Sequence, residues 1–284
     1  MYNTRLTLKV LSVDWDYFVN AEMDQRVKYF PDGGSEDIPI DIQNFIWTMR
    51  YTQYKDELLS IKSDRSQLFL FNKILNNSSP AHLNDISNLL ICDSHKNIYD
   101  FIISTTRNIE IMIGAGFDFN LEIINIDFHH DLYNIKDIDG NRISQINCGN
   151  WVWQLFKYFL SNSGIIKYKW IRRKTSDMKE YNMACDYFKD NSCIDISDDV
   201  GITDGVLNFN PDIIFICRSR EWSPPHLDKS FIRQTKRLCD QNKFWNTMIE
   251  QDIFEDRWRS ISRELNYNND IKQFELLMKT YNKH

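Results

Sequence analysis

Four apolar, β-branched-rich runs punctuate the chain at Leu6–Val13, Leu121–Ile126, Ile165–Ile171 and Asp212–Cys217, and each ends in a polar cluster. Runs of that length predict buried strands. Between them, apolar positions recur at helical spacing over Ile42–Leu59, Gln67–Leu75, Ile98–Arg107, Trp151–Leu160, Ser176–Phe188 and Leu227–Gln241. Strands alternating with helices predict an α/β fold of three layers, a mostly parallel sheet with helices on both faces. The segment Tyr29–Pro39, with PDGGSEDIP at its centre, is rich in turn residues and predicts an ordered loop or a flap near the first strand. From Phe244 to His284, aromatic and charged residues at helical spacing predict a C-terminal helical extension on a single domain spanning 1–284.

Composition narrows the function classes. At 284 residues and 42% hydrophobic content the chain can bury a large core. A net charge of -6, with no dense Lys/Arg tract, argues against nucleic acid as a partner, because neutralising phosphates needs a basic face. The six cysteines form no CxxC pair, and Cys92 and Cys217 lie in apolar runs, as buried thiols do. The polar start MYNTRLTLKV and the lack of any apolar run of membrane-spanning length predict a cytoplasmic protein with reduced thiols and no membrane partner.

In an open parallel sheet, ligands bind beyond the carboxyl ends of the strands, so polar residues directly after a strand run are the first candidates for chemistry. LEIINIDFHHD delivers Asp127, His129 and Asp131 at alternate positions, which in extended backbone converge on one side. Each residue alone suits a helix cap or a turn. Together they crowd charge at a cost that a counter-ion relieves, which points to a metal, and mixed oxygen and nitrogen donors suit Mn²⁺, Zn²⁺ or Fe²⁺. LTLKVLSVDWDYF ends in Asp14 and Asp16, a pair that taken alone fits metal ligands, a phosphoryl-transfer nucleophile with its acid, or a solvated strand end.

Ser12-Val13-Asp14-Trp15-Asp16 resembles the SxDxD motif of the arginase and agmatinase superfamily, and Asp127-Phe128-His129-His130-Asp131 resembles its DxHxD motif. Here the SxDxD-like pair comes first, a permuted order. With the phrases ICDSHKNIYDFI, CGNWVW and FICRSREWSPP taken in, the chain is most similar to the arginase-like proteins that include the peptide arginases, which convert arginine to ornithine in ribosomally made precursor peptides. The resemblance implies an arginase/deacetylase-like fold, two Mn²⁺ ions per site and an arginine-containing precursor peptide as partner. It also implies that Asp127 and Asp14 bridge the ions, that His95 and Asp131 complete one, and that His129 and Asp16 complete the other. A hydroxide formed between two such ions would attack the guanidinium carbon, with Asp131 shuttling the proton. Glu221 is the carboxylate implied for the guanidinium, and it equally suits a surface ion pair with Arg218 or Arg220.

Asn150 suits a pocket-lining role with substrate, although capping of the helix that starts at Trp151 is the simpler reading. His130 alternates away from the metal side, His226 suits a helix start, and Trp151 and Trp153 suit core or rim. Two other readings stay open. One is hydrolysis of a free amidine such as arginine or agmatine; the other is a haloacid-dehalogenase-like phosphatase with Asp14 as nucleophile and Asp16 as acid. The second leaves Asp127, His129 and Asp131 unexplained.

Overall fold

The computed structural model describes residues 5–31, 38–78, 86–113, 119–134, 145–161, 164–241 and 246–267. The first predicted strand forms β1 (Leu6–Asp14) and runs into a single 3-10 turn over Trp15–Phe18. Next come α1 (Met23–Tyr29), α2 (Ile40–Ser60), α3 (Arg65–Asn77), β2 (Leu89–Cys92), α4 (Asn97–Ile113) and β3 (Phe119–Ile126). The second half continues through α5 (Trp151–Ser161), β4 (Ile166–Arg172), α6 (Lys179–Phe188), β5 (Ile194–Val200), the short α7 (Asp204–Leu207), β6 (Ile213–Cys217) and α8 (Asp228–Gln241). It ends with β7 (Thr247–Ile249) and a helix α9 over residues 257–267.

The strands form one seven-stranded sheet in the order β5-β4-β3-β1-β6-β2-β7, with every pairing parallel. This is the expected three-layer α/β arrangement. β6, IIFIC, is buried at all five positions, as a strand covered on both faces must be. Alternation along β1 sends Leu8 and Val10 into one layer, with Ile98, Ile102, Trp151 and Phe156 of α4 and α5. Leu11 and Val13 face the other layer, with Phe71 and Ile74 of α3 and Phe231 of α8. A third cluster, including Trp47, Tyr51, Ile261 and Leu265, packs α9 against α2. Fully burying one such aliphatic or Phe side chain contributes roughly 1.5–3 kcal/mol.

Three strands lie outside the four predicted from strong apolar runs. β2 is only four residues long, β5 (IDISDDV) alternates apolar with acidic residues at the sheet edge, and β7 is three residues long. β7 also corrects the reading of the tail as helical from Phe244. Thr247–Ile249 pairs with Leu89–Ile91 and so extends the sheet, and helix resumes only at 257. Sheet pairing has overridden a helical pattern there. Residues 268–284 of that predicted extension, and 32–37 of the Tyr29–Pro39 segment, lie outside the described residues. Tyr29 itself closes α1. No helix among the described residues is long and apolar enough to cross a membrane.

Register places the working end of the sheet. Asp14 is level with Cys217, Cys217 with Cys92, and Val13 with Ile126, so β1, β2, β3 and β6 finish together. Two residues before Asp14, Ser12 lies beside Asn125 on one flank and Phe215 on the other. The loops leaving these four strands enclose the candidate site.

Candidate metal centre

Six side chains predicted from sequence meet where these strands end. Asp14 closes β1, Asp16 sits in the 3-10 turn, His95 lies between β2 and α4, and Asp127, His129 and Asp131 follow β3. Nδ1 of His95 is 3.3 Å from Asp14 Oδ2, 3.2 Å from Asp127 Oδ2 and 3.2 Å from Asp131 Oδ2. Nδ1 of His129 is 3.2 Å from Asp16 Oδ2 and 3.9 Å from Asp127 Oδ1. Two donor groups result, Asp14–His95–Asp127 and Asp16–Asp127–His129, each with ligand atoms within 4.8 Å of one another. Asp127 belongs to both, with one oxygen facing each histidine. These buried groups can hold a metal ion.

The local backbone differs from the extended path that alternate spacing suggests. β1 stops at Asp14, whose Oδ1 accepts the Asp16 N–H at 3.0 Å and caps the turn that follows. That turn carries Asp16 away from the His95 group and into the His129 group. Asp14 stands with His95 and Asp127. Beyond β3, Asp131 adopts φ 54°, a left-handed conformation that costs a non-glycine residue roughly 1–2 kcal/mol. Its carboxylate turns back to His95 as a result. Ser219, the second residue after β6, is also left-handed at φ 46°, and its hydroxyl donates to Asp14 Oδ2 at 2.5 Å.

Around the ligands stand groups the sequence reading did not assign. Ser12 Oγ is 2.8 Å from His95 Nε2, which leaves Nδ1 facing the carboxylates, and the imidazole stacks on Phe215 at 5.4 Å. The indole N–H of Trp151, expected only as core or rim, donates to Asp131 Oδ2 at 2.7 Å. Asn125 Nδ2 lies 3.4 Å from Asp127 Oδ2 and from Asp131 Oδ2. Arg26, the buried residue of α1, reaches Asp16 Oδ2 at 3.2 Å. Strand parity could have flagged Ser12 and Asn125, two polar residues inside apolar runs. Nothing in sequence spacing marks Arg26.

The electrostatics are those of a cluster short of positive charge. Burial, then the carboxylates of Asp16 and Asp127, push Asp14 up to about 7. Burial and Asp127 hold Asp131 well above the usual carboxylate range. At Asp127 burial acts upward, yet hydrogen bonding and attraction to His95 outweigh it and hold that carboxyl well below its ordinary value. His95 is pressed down by burial but raised further by Asp131, Asp127 and Asp14, so it stays well above an ordinary imidazole. A divalent ion bound among these groups would supply the positive charge the cluster lacks. The donors, carboxylate oxygen and imidazole nitrogen, fit hard or borderline divalent ions.

Other candidates fall elsewhere. Asn150 is buried, with Oδ1 accepting the Asn147 N–H at 2.9 Å and Nδ2 donating to the Gln145 carbonyl at 3.0 Å. It ties the preceding loop together. Glu221 is buried in the turn after β6. Arg218 and Arg220, its alternative partners, are both bonded to Asp93. Next to it, Trp222 packs on the His129 ring at 4.8 Å, which brings this turn alongside the Asp16–His129 group. His130 points away, among Tyr133, Trp170 and Tyr181, where burial lowers it to about 3. His226 is bonded to the Tyr51 hydroxyl at 2.5 Å and the Ile61 carbonyl at 2.9 Å. Of the six side chains, His129 is the most open at 18% exposed, and the other five are 5% exposed or less.

Comparisons of the chain with family models, with curated proteins and with solved structures return no match.

Proposed function

We propose that this protein is a cytoplasmic, manganese-dependent hydrolase of the arginase-like class, which cleaves the guanidinium group of arginine residues in a precursor peptide to leave ornithine and release urea. One observation carries the reading. The two donor groups Asp14–His95–Asp127 and Asp16–Asp127–His129 are joined through Asp127 at the carboxyl end of a parallel sheet. Two bound divalent ions would supply positive charge that polarises the substrate and makes a water acidic enough to ionise near neutral pH.

The chain's own residues support the remaining tasks. Breaking the bond from the guanidinium carbon to the side-chain nitrogen requires that nitrogen to take up a proton as it leaves. Asp131, within the ligand cluster and held by the Trp151 indole, is placed to take the proton given up by the water and pass it to that nitrogen. Glu221 offers the planar carboxylate that matches a guanidinium in two parallel hydrogen bonds. Trp222 beside it supplies an aromatic face for the same cation. Partial exposure of His129 supports an approach over that imidazole, along which a side chain projecting from a peptide can enter.

The test is urea release by purified, Mn²⁺-loaded protein given free arginine, agmatine and an arginine-containing peptide in parallel. Metal-dependent urea from the peptide is expected, falling more than about 100-fold in Asp127→Ala, which removes a ligand from both groups. Urea from free arginine or agmatine alone would replace the peptide with a small amidine. Bound metal without urea from any of the three would overturn guanidinium hydrolysis.

A further inference from the structure

Arg26 is the one buried arginine in direct contact with the candidate ligands among the described residues, and all three of its nitrogens are engaged. Nε donates to the Ala21 carbonyl at 3.1 Å, and one terminal nitrogen donates to the carbonyls of Asp16 at 2.8 Å and Val19 at 3.0 Å. The other terminal nitrogen meets Asp16 Oδ2 at 3.2 Å. The guanidinium plane lies over the Phe128 ring, 3.8 Å from its centroid. Arg26 thereby ties together three pieces of chain: the 3-10 turn, α1 and the loop after β3. α1 is set for this by a capping box, in which the Gln25 side chain accepts the Glu22 N–H at 2.9 Å.

Asp16 is pinned on both oxygens. Oδ1 accepts the Phe128 N–H at 3.3 Å, while Oδ2 faces Arg26 and His129 together. Asp14, the equivalent carboxylate of the other group, is held by the neutral Ser219 hydroxyl and a backbone N–H. The two halves of the centre are therefore built differently: among the described residues, a guanidinium is bonded to the Asp16 carboxylate and none to that of Asp14.

We infer that Arg26 is a positioning residue for the Asp16–Asp127–His129 half, locking the Asp16 carboxylate in its ligating pose and so setting the affinity of that half for its ion. This inference rests on the metal reading of the proposed function. Two effects oppose each other when Arg26 is removed. A nearby positive charge disfavours a divalent cation, so its loss tightens binding; the pose of Asp16 is also lost, which weakens it. The second effect prevails, because the guanidinium charge is already paired with Asp16, whereas an orienting partner typically governs about 10–100-fold in metal affinity.

The experiment is Mn²⁺ binding to metal-free protein, with free ion counted by electron paramagnetic resonance, in the wild type, Arg26→Met and Phe128→Leu. Phe128→Leu removes the stacking face but keeps the backbone N–H, and so decides the question if Arg26→Met fails to fold. Expected are two ions in the wild type. In Arg26→Met one ion should keep its affinity and the other weaken by at least about tenfold, with a smaller shift in the same direction for Phe128→Leu. Unchanged or tighter binding of the second ion, or equal weakening of both, would overturn the role of Arg26 and leave the proposed function standing. A wild type that binds no ion would overturn both, and a wild type that binds a single ion would overturn this inference.

Discussion

Asp127 presents one oxygen to each histidine, and the residues behind it decide how well those oxygens stay aimed. Trp151 aims the neighbouring Asp131 in the same way. Its N–H is 2.7 Å from Asp131 Oδ2, and its ring lies 5.3 Å from that of His95. Trp151→Phe keeps an aromatic ring in the core but removes the shortest of the contacts on Asp131 Oδ2, leaving that carboxylate to the more distant Asn125 and His95. Urea release is expected to fall about 10–100-fold while two Mn²⁺ ions remain bound. Steady-state kinetics beside metal analysis checks this, and an unchanged kcat would remove Trp151 from the site. At this scale the sequence exposed the six candidate ligands, since DxHxD and DxD after apolar runs are local signals. It hid Arg26, Trp151 and Ser219. They lie 10, 20 and 205 positions from the carboxylates they hold, and contact across such gaps is a property of the fold.

Among the elements, β6 was legible as an unbroken apolar run buried on both faces, and β1, β3 and β4 as β-branched and aromatic runs interrupted by a few polar residues. β5 and β7, at the sheet edges, bury one face or less and carry polar residues that break the signal. The turn from α5 into β4 shows how tightly the layers meet. A Cβ on Gly164 would stand 2.6 Å from the Phe119 carbonyl oxygen and 3.1 Å from the Phe159 ring. Neither the strand backbone nor the buried ring can yield cheaply. Gly164→Ala should therefore cost roughly 1–3 kcal/mol, read as a fall of several degrees in Tm, with Mn²⁺ stoichiometry retained because the site lies at the other end of β3. An unchanged Tm would show that the turn relaxes freely.

For the molecule as a whole, metal and proton compete for the same cluster. Asp14 is raised from 3.8 to about 7 and His95 is raised above 6.5, so the metal-free fold binds more protons than the unfolded chain between those values. Excess protons in the fold mean that stability of the metal-free protein declines as pH rises through that window. An ion must displace the same protons, so its affinity increases with pH. The gap in Tm between Mn²⁺-loaded and metal-free protein should thus widen from pH 6 to pH 8. At 100-fold excess of ion over Kd the gap should be roughly 5–10 °C, from about 2.7 kcal/mol of binding linkage. Calorimetry at three pH values measures it, and a gap that is constant or narrows with pH would contradict the assignment of these protons to the site.

What the sequence by itself determined was the layer plan and which carboxylates and imidazoles gather at the end of the sheet. Both depend on short-range order, apolar period for the layers and carboxylate and imidazole spacing after a strand for the ligands. Only the tertiary structure decided how the ligands divide. The 3-10 turn after β1 sends Asp16 to one group and leaves Asp14 in the other, and the left-handed Asp131 and Ser219 turn their side chains inward. The long-range supports, Arg26 under Asp16 and Trp151 on Asp131, became visible only when the level ends of four parallel strands brought distant loops together. A hydrophobic pattern specifies which face of an element is buried; which side chains then meet depends on strand order and register, and those are set by the packing of the whole chain.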